Sequence, residues 1–488
     1  MKKTKLVLGV MAAVLMVFII GCYSYDAGLA SPSSPGGYSP PHIYEDADEF
    51  DEINERNFVS AAEKPESYFA LNVNTASYAV IRRSINSGAK IYKDQVLIEE
   101  MLNYFQFDYP VPDEGEILTL SGSLSPCPWN KDAHLLSIGI KTETVEMSNV
   151  DNNLVFLIDV SGSMMPNDRL PLAQEAFILL AENLNPNDRV SVVTYASGVE
   201  VRLDGAMGYE KAKIRGVIED LSAGGSTSGA GGIQMAYQLA AKYFKIGGNN
   251  RVILATDGDF NVGISSQSEL EKFITQKRAT GVYLSVMGFG MGNLKNNKME
   301  TLANCGNGNY SYIDTISEAR KVLIDEAGGT LKTVAKDAKA MVQFNPDYVD
   351  KYRQLGYENR QLTQSDWENP DTDSGELGAG RCITAVYEVI LKEGAAEAAV
   401  PLVTAAVRFK NPETEEPQEI SLDISKLSEA NDDIIFISAV VESALLMRDS
   451  PYKGSADINQ VITRLESLKL EDEYKLGFLE LMRKYGKR

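Results

Sequence analysis

The sequence predicts an α/β protein with a central doubly wound, mostly parallel sheet and helices on both faces, flanked by smaller α+β domains. Residues 151–330 alternate apolar runs of buried-strand length with stretches of helical periodicity. Such alternation is typical of a parallel sheet whose two faces are covered by helices. The 488 residues also allow about three domains at the usual domain size, which leaves room for a flanking domain on each side.

The composition is that of a globular protein rather than a disordered chain or one with many membrane spans. Hydrophobic residues make up 44% of the chain and charged residues 24%. The 47 basic and 68 acidic residues leave a net charge of −21, which argues against nucleic acid, itself a polyanion, as a partner. Because His42 and His134 are the 2 histidines, hydrolytic triads and histidine-rich metal sites are disfavoured.

Residues 1–21 predict a lipoprotein signal peptide. Three lysines precede an apolar run from Leu6 to Ile20, and the 15 residues of this run are fewer than the about 20 that span a bilayer. The run is followed by Gly21 and Cys22, and the stretch IIGC resembles a bacterial lipobox with cleavage before Cys22 and lipidation of its sulfur. We therefore expect a lipid anchor on the extracytoplasmic face of the cell membrane or outer membrane. An uncleaved short anchor is the alternative.

Residues 22–57 predict a flexible linker. The first half is rich in Ser, Pro and Gly and too poor in aliphatic residues to build a core. Residues 45–55 carry a run of acids without EF-hand spacing, so a solvated, self-repelling leader is favoured over a calcium site. The acids of this run are Glu45, Asp46, Asp48, Glu49, Asp51, Glu52 and Glu55.

Three cysteines follow Cys22, namely Cys127, Cys305 and Cys382. An odd number of thiols cannot all pair, and no CxxC or metal-ligand spacing occurs. We expect three buried thiols. A disulfide between Cys382 and either of the other two cysteines remains the alternative.

Residues 58–150 predict a first compact domain. The stretch SYFALNV predicts a strand, and Thr75–Ser87 and Val96–Phe105 predict helices because each places its apolar side chains on one face. The stretch LLSIGIKTETV alternates in the manner of a strand. We interpret the aromatic residues of NYFQFDYP as core rather than as a binding platform.

Residues 151–330 predict the central domain. Its strand-like runs are NLVFLIDV, RVSVVTYA, NRVILATDG and VYLSVMGFG, and its helical stretches are RLPLAQEAFILLAENL, YEKAKIRGVIEDL, AGGIQMAYQLAAKYF and SELEKFITQKRAT. The glycines of GFGMG superficially suggest a dinucleotide loop. Asn293 stands where that fingerprint needs its third glycine, so a tight structural turn is favoured.

Residues 331–488 predict a C-terminal α+β domain. The runs CITAVYEVIL and PLVTAAVRFK favour strands of an antiparallel, half-exposed sheet. Apolar stripes at helical spacing follow within residues 432–448, in INQVITRLESL and in YKLGFLELMRKY. We expect these helices to pack on their own sheet rather than to receive a partner helix.

Polar side chains collect where the central strands end. Asp159, Ser161 and Ser163 follow the first strand at a spacing of two residues, Thr227 lies in a glycine-rich loop, and Asp257 ends a later strand. Ligands bind at the carboxyl ends of parallel strands, so these five side chains are expected at one edge. Carboxylates and hydroxyls are hard oxygen ligands, which suit Mg²⁺ or Mn²⁺ and are poor for zinc or copper.

The motifs DVSGSM, GGSTSG and ATDG, in this order, resemble the von Willebrand factor type A domain. The resemblance implies a metal-ion-dependent adhesion site that binds Mg²⁺, with Mn²⁺ or Ca²⁺ as alternatives. The implied ligands are Asp159, Ser161, Ser163, Thr227 and Asp257, with an open position for a partner's carboxylate. The flanks, with FALNVNTASYAVIRR, GELGAGRCITAVYEV and SAVVESALLMRDSPYKGSA, resemble the N- and C-terminal domains of the YfbK-type family of bacterial lipoproteins.

The resulting functional hypothesis is a membrane-anchored binding module rather than an enzyme. Its metal would coordinate an acidic residue of an envelope or extracellular protein. The alternatives are a metal-assisted hydrolase and a structural envelope lipoprotein in which the metal only stabilises the fold. Asp168 and Asp259 are the nearest candidates for a general base, and both are expected in loops.

Overall fold

The computed structural model describes residues 48–71, 73–146, 150–226, 231–258, 267–292 and 294–488. The predicted signal peptide 1–21, Cys22 and the Ser/Pro/Gly part of the linker lie outside the described residues. Those that are described from Asp48 onward belong to one compact unit. None of the helices in this described part is long and apolar enough to cross a membrane.

The described elements follow one another in chain order. The strands are β1 (Val59–Ser60), β2 (Glu66–Ala70), β3 (Leu118–Pro126), β4 (His134–Thr142), β5 (Asn152–Asp159), β6 (Arg189–Tyr195), β7 (Val199–Met207), β8 (Asn249–Thr256), β9 (Tyr283–Phe289), β10 (Tyr310–Ile313), β11 (Thr333–Phe344), β12 (Val349–Leu355), β13 (Gly375–Gly378), β14 (Cys382–Leu391), β15 (Val403–Lys410) and β16 (Pro417–Ile424). The helices are α1 (Ala76–Ser87), α2 (Ile98–Asn103), α3 (Leu170–Glu182), α4 (Lys211–Glu219), α5 (Gly232–Lys242), α6 (Gln267–Arg278), α7 (Asn296–Cys305), α8 (Ile316–Arg320), α9 (Ala327–Leu331), α10 (Gln364–Glu368), α11 (Asp432–Met447), α12 (Ile458–Ser467) and α13 (Glu473–Tyr485).

The central sheet confirms the predicted fold class. Its strands lie in the order β10-β9-β8-β5-β6-β7, and all neighbours are parallel except β6 and β7. Strands β5 and β8 are buried along their whole length because helices cover both faces. Phe156 and Ile158 pack under α3 on one face, whereas Val155 and Leu157 pack under α5 on the other. The antiparallel edge strand β7 was not predicted.

The two flanking segments share their sheets. One sheet has the order β1-β12-β14-β4-β3, and the other has the order β13-β11-β15-β16 with β2 also paired to β11. Every pairing in these sheets is antiparallel. Strands from residues 58–150 therefore pair with strands from residues 331–488 in both sheets, which enclose one apolar core. The domain boundaries drawn from the sequence stay predictions, but the flanks do not build separate sheets.

The expectation of a half-exposed C-terminal sheet was wrong for strand β14 but holds better for β15 and its neighbour β16, which has several exposed residues. The antiparallel pairing was predicted rightly, but β14 is buried from Cys382 to Val389. Ile383 and Tyr387 face the core between the two flanking sheets, whereas Val386 faces a cluster of helices. Because both faces of the strand are covered, its residues do not alternate between apolar and polar.

The two flanking sheets and the helices α2, α11, α12 and α13 are together called the flanking body. Helix α1 joins this flanking body to the central domain. Tyr78 and Ile81 pack in the cluster that also contains residues of α2, α11, α12 and α13. Ala79 and Val80, on another face of the same helix, pack with residues of the central sheet. The predicted apolar face of α1 is confirmed, and a second face of small residues allows close contact with the central domain.

The prediction of a solvated acidic leader was wrong for Asp48, which is held in the folded body, whereas Asp51 and Glu52 are exposed as expected. Asp48 forms an ion pair of 3.0 Å with Arg83 of α1 and accepts a hydrogen bond of 2.7 Å from the Leu294 amide. Glu49 pairs with the Lys295 ammonium at 2.8 Å. Cationic and amide partners from distant parts of the chain compensate the acids, which local sequence could not reveal.

The three cysteines of the body are free thiols. Cys127 and Cys382 are buried, and Cys305 is half-buried. The expectation of unpaired thiols is confirmed, although full burial holds for two of the three. Burial raises the pKa of the Cys127 thiol to about 12, so this thiol stays protonated and unreactive near neutral pH.

Candidate metal centre

The loop after β5 folds three of the predicted ligands onto one another. Asp159 is the last residue of the strand, and its Oδ1 accepts a hydrogen bond of 2.8 Å from the Ser161 amide. A short 3₁₀ turn, Gly162–Met164, then curls the chain back. As a result the hydroxyl oxygens of Ser161 and Ser163 lie 3.0 Å apart. The spacing of two residues thus brings a carboxylate and two hydroxyls together, as expected from the sequence.

Asp257 joins this group from the neighbouring strand. Strands β5 and β8 are parallel, with Ile158 opposite Ala255, so both strands end at the same level. The Thr256 hydroxyl, one residue before Asp257, lies 3.5 Å from Asp159 Oδ2. The side chains of Asp159 and Asp257 are both buried. Two carboxylates therefore share one water-poor edge of the sheet.

The glycine-rich loop is hydrogen-bonded to the loop after β5. The Gly224 amide donates to the Val160 carbonyl at 2.8 Å, and the Gly162 amide donates to the Gly225 carbonyl at 3.0 Å. Gly225 has a φ of 80°, which a residue with a side chain rarely adopts. This loop is thereby held against the candidate ligands as far as Ser226. Thr227, the predicted fifth ligand, lies outside the described residues.

The negative charge of the buried Asp159 carboxylate is only partly compensated by its neighbours in the protein. Burial raises the pKa of Asp159 to about 6; hydrogen bonds from Ser161 oppose this shift, and the nearby Asp257 adds to it. A pKa above the ordinary value means that the ionised form is poorly compensated by the protein alone. A cation bound at this edge would compensate it.

Arg169 supplies one positive charge that the sequence analysis missed. Its guanidinium donates a hydrogen bond of 2.5 Å to Asp257 Oδ2 and one of 2.7 Å to the Ser163 carbonyl. Arg169 directly precedes α3. The only signal in the sequence is a lone basic residue after the serine loop, and such a residue is usually solvated.

The donor set fits a hard divalent cation. The described residues contain no group of three or more His, Cys, Asp or Glu side chains that could hold a metal, so hydroxyls would have to complete a metal shell here. Asp159 and Asp257 supply charge, and Ser161 and Ser163 supply paired hydroxyl oxygens. Oxygen donors of this kind suit Mg²⁺, Mn²⁺ or Ca²⁺.

The glycine motif after β9 forms a structural turn. Gly290 and Gly292 have φ values of 80° and 79°. The Gly290 carbonyl accepts hydrogen bonds from the Tyr312 hydroxyl at 2.7 Å and from the Arg83 guanidinium at 2.9 Å. The motif thus anchors side chains of the protein itself, in agreement with the interpretation as a turn.

The structure describes only one of the two candidate general bases of the hydrolase alternative. Asp168 is partly exposed and directly precedes Arg169. Asp259 lies outside the described residues. His134 is described, but it begins β4 in a flanking sheet.

Three family models match successive parts of the chain. A model described as von Willebrand factor matches residues 44–137, and the von Willebrand factor type A domain model matches residues 154–259. A model described as Uncharacterized protein YfbK, C-terminal, matches residues 329–487.

Individual proteins are similar over different shares of the chain. Uncharacterized protein YfbK of Escherichia coli (strain K12) is 37% identical over 460 residues, which cover 89% of this chain and 80% of that protein. Inter-alpha-trypsin inhibitor heavy chain H4 of Bos taurus is 28% identical over 153 residues, covering 30% of this chain and 16% of that protein. Among solved structures, the von Willebrand factor type A protein from Catenulispora acidiphila has a TM-score of 0.41 and 14% identity, covering 78% of this chain and 91% of that chain.

Proposed function

This chain belongs to the YfbK family of von Willebrand factor type A domain proteins, and on that premise we propose that it is a binding module that uses a divalent cation to hold an acidic residue of a partner protein. One observation carries the proposal: two buried carboxylates and a pair of hydroxyls meet at the carboxyl edge of the central sheet. That arrangement supports cation binding more directly than it supports catalysis.

Each candidate ligand has a distinct part in the proposal. Asp159 and Asp257 would supply negative charge to the ion, and Ser161 and Ser163 would supply neutral oxygen donors. Thr227 would complete the set from the glycine-rich loop. The bound ion would supply a positively charged open position, and the protein keeps bulk water from the two carboxylates by burying them.

We place the protein at the cell envelope. The signal peptide 1–21 and Cys22 would anchor it to the cell membrane or outer membrane through lipid, with the body on the extracytoplasmic face. The partner would be an envelope or extracellular protein that presents an acidic residue. The net charge of −21 makes nucleic acid an unfavourable partner.

A metal-assisted hydrolase is the less favoured function, and a structural lipoprotein is the other alternative. Hydrolysis by a metal-bound water requires a general base within hydrogen-bond reach. Both histidines lie outside residues 151–330, and Asp168 is a partly exposed residue in the turn that precedes α3. We therefore propose binding without catalysis.

Calorimetric titration of Mg²⁺ into the full-length protein in detergent tests the proposed function. We expect saturable binding by the wild type and a loss of affinity of at least about tenfold in Asp159→Asn, because the charge of its ligands strongly sets a site's affinity for hard cations. Asp220→Asn is the matched control, since Asp220 is an exposed residue of the same domain. Absence of binding by the wild type, or equal binding by both variants, would contradict the proposal.

A further inference from the structure

Arg169 connects three loops at the carboxyl edge of the central sheet. Its guanidinium donates to the Ser163 carbonyl at 2.7 Å, to Asp257 Oδ2 at 2.5 Å and to the Met291 carbonyl at 2.7 Å. These acceptors belong to the loop after β5, the end of β8 and the turn after β9. A single cationic side chain thus contacts a candidate metal ligand and the backbone on either side of it.

The position of the Arg169 side chain is restricted by its surroundings. Its side chain is 12% exposed, and it lies against Gly290. A Cβ at Gly290 would lie 2.4 Å from Arg169 Nε, so the close approach of the guanidinium to this turn requires glycine. The positive charge is therefore a permanent part of the site rather than a mobile surface charge.

The fixed guanidinium changes the charge balance of the proposed metal site. Asp159 and Asp257 with Arg169 leave one net negative charge, so a divalent cation would leave one net positive charge. A carboxylate from a partner would then bring the site to neutrality, whereas a neutral oxygen would not. Without Arg169, the ion and the two carboxylates would already be neutral.

We infer that Arg169 determines the ligand specificity of the site: it keeps the metal-loaded centre one positive charge above neutrality, which favours a carboxylate ligand and weakens binding of the ion alone. This inference rests on the proposed function, because it concerns the same centre. It predicts opposite effects of Arg169 on the ion and on the partner's carboxylate. A residue that merely braces the loops would weaken both when removed.

Calorimetry with two probes, Mg²⁺ and acetate, tests the inference on the full-length protein in detergent. In Arg169→Gln we expect Mg²⁺ alone to bind about tenfold tighter, because a unit positive charge near the ion is removed. We also expect the increase in Mg²⁺ affinity that saturating acetate produces in the wild type to fall by about threefold or more. Arg169→Lys keeps the charge and should retain wild-type behaviour with both probes.

The controls separate this inference from the proposed function. Arg215→Gln removes an exposed charge that pairs with Glu182 and Glu219, and it should change neither measurement. Arg169→Met, a second neutral variant with an unbranched side chain, replaces Arg169→Gln if the latter does not fold. Weaker or unchanged Mg²⁺ binding in the neutral variant would overturn the role of Arg169. Absence of Mg²⁺ binding by the wild type would instead overturn the proposed function.

Discussion

At the scale of single residues, Glu388 is the centre of a buried charge network in the flanking sheets. It lies opposite Arg353 on neighbouring strands, and both side chains are 1% exposed. Glu388 Oε2 accepts a hydrogen bond of 2.6 Å from Arg353 Nε, and its Oε1 accepts one of 2.8 Å from the Trp129 indole. The Arg353 guanidinium also lies 4.2 Å from the centre of the Tyr452 ring. Because water does not reach either side chain, the charges of Arg353 and Glu388 are compensated mainly by each other.

Glu388→Ala is expected to lower the free energy of unfolding by about 3–5 kcal/mol, because it removes the close ion pair of the buried Arg353 and leaves only the Glu55 carboxylate, 3.9 Å away, near its charge. Glu419→Ala is the matched control: Glu419 pairs with Arg408 on the surface at 2.5 Å, and its loss should cost less than about 1 kcal/mol. Urea unfolding of both variants measures the difference. Equal costs would show that burial does not set the strength of these pairs.

At the scale of elements, the segment around Glu49 is joined to the central domain by an isolated parallel β-bridge with Lys295, just before α7. The Glu49 amide donates to the Leu294 carbonyl at 2.7 Å, and the Asn296 amide donates to the Glu49 carbonyl at 3.0 Å. The Asp48 carboxylate pairs with Arg83, which ties the segment to α1 as well. An acidic run that looks solvated in sequence is therefore part of the folded body.

Asp48→Ala should release this segment without unfolding the protein. Loss of the Asp48 charge removes an ion pair and a charge-assisted hydrogen bond to the Leu294 amide, so we expect hydrogen exchange at the Glu49 and Asn296 amides to become about tenfold faster. Glu52→Ala is the control, since the Glu52 side chain is 71% exposed. Unchanged exchange in Asp48→Ala would mean that backbone pairing alone holds the segment.

At the scale of the whole molecule, buried acids lie where the central domain meets the flanking body. Burial, together with Glu358, raises the pKa of Glu99 to about 7. Burial, together with Glu300 of α7, raises the pKa of Glu100 to about 8. The Ser77 amide of α1 donates to Glu100 at 2.9 Å, and Arg360 pairs with Glu300. Contacts between the two bodies therefore include carboxyl groups that favour their protonated form.

These acids predict a stability that falls as the pH rises from about 5 to about 8. The ordinary pKa of both groups is 4.5, so in this window the folded protein binds more protons than the unfolded chain, and raising the pH lowers the free energy of unfolding. Each unit of pKa difference corresponds to about 1.4 kcal/mol. Glu100→Gln should flatten the profile, whereas Glu114→Gln, at an exposed position, should not. Urea unfolding across this pH range checks both expectations.

Much of the candidate site could be predicted because its signal is local. Asp159, Ser161 and Ser163 are separated by single residues, and the strand that carries them is recognisable from its apolar run. The parallel arrangement then places Asp257 at the same edge. Arg169 could not be predicted, because its contact with Asp257 joins residues 88 positions apart, and a single basic residue carries no periodic pattern.

The sequence by itself determined the central α/β sheet, the strand ends that carry polar residues and membership of a family. These features can be read from the sequence because each motif spans only a few residues. The spacing of apolar residues along the chain also follows directly from the geometry of a helix or a strand. Only the tertiary structure decided that strands of the two flanks share sheets, that β14 is buried on both faces and that the acidic leader is docked. These outcomes depend on which distant surfaces pack against each other, and the free energy of such packing is a sum over contacts between residues that are far apart in the chain.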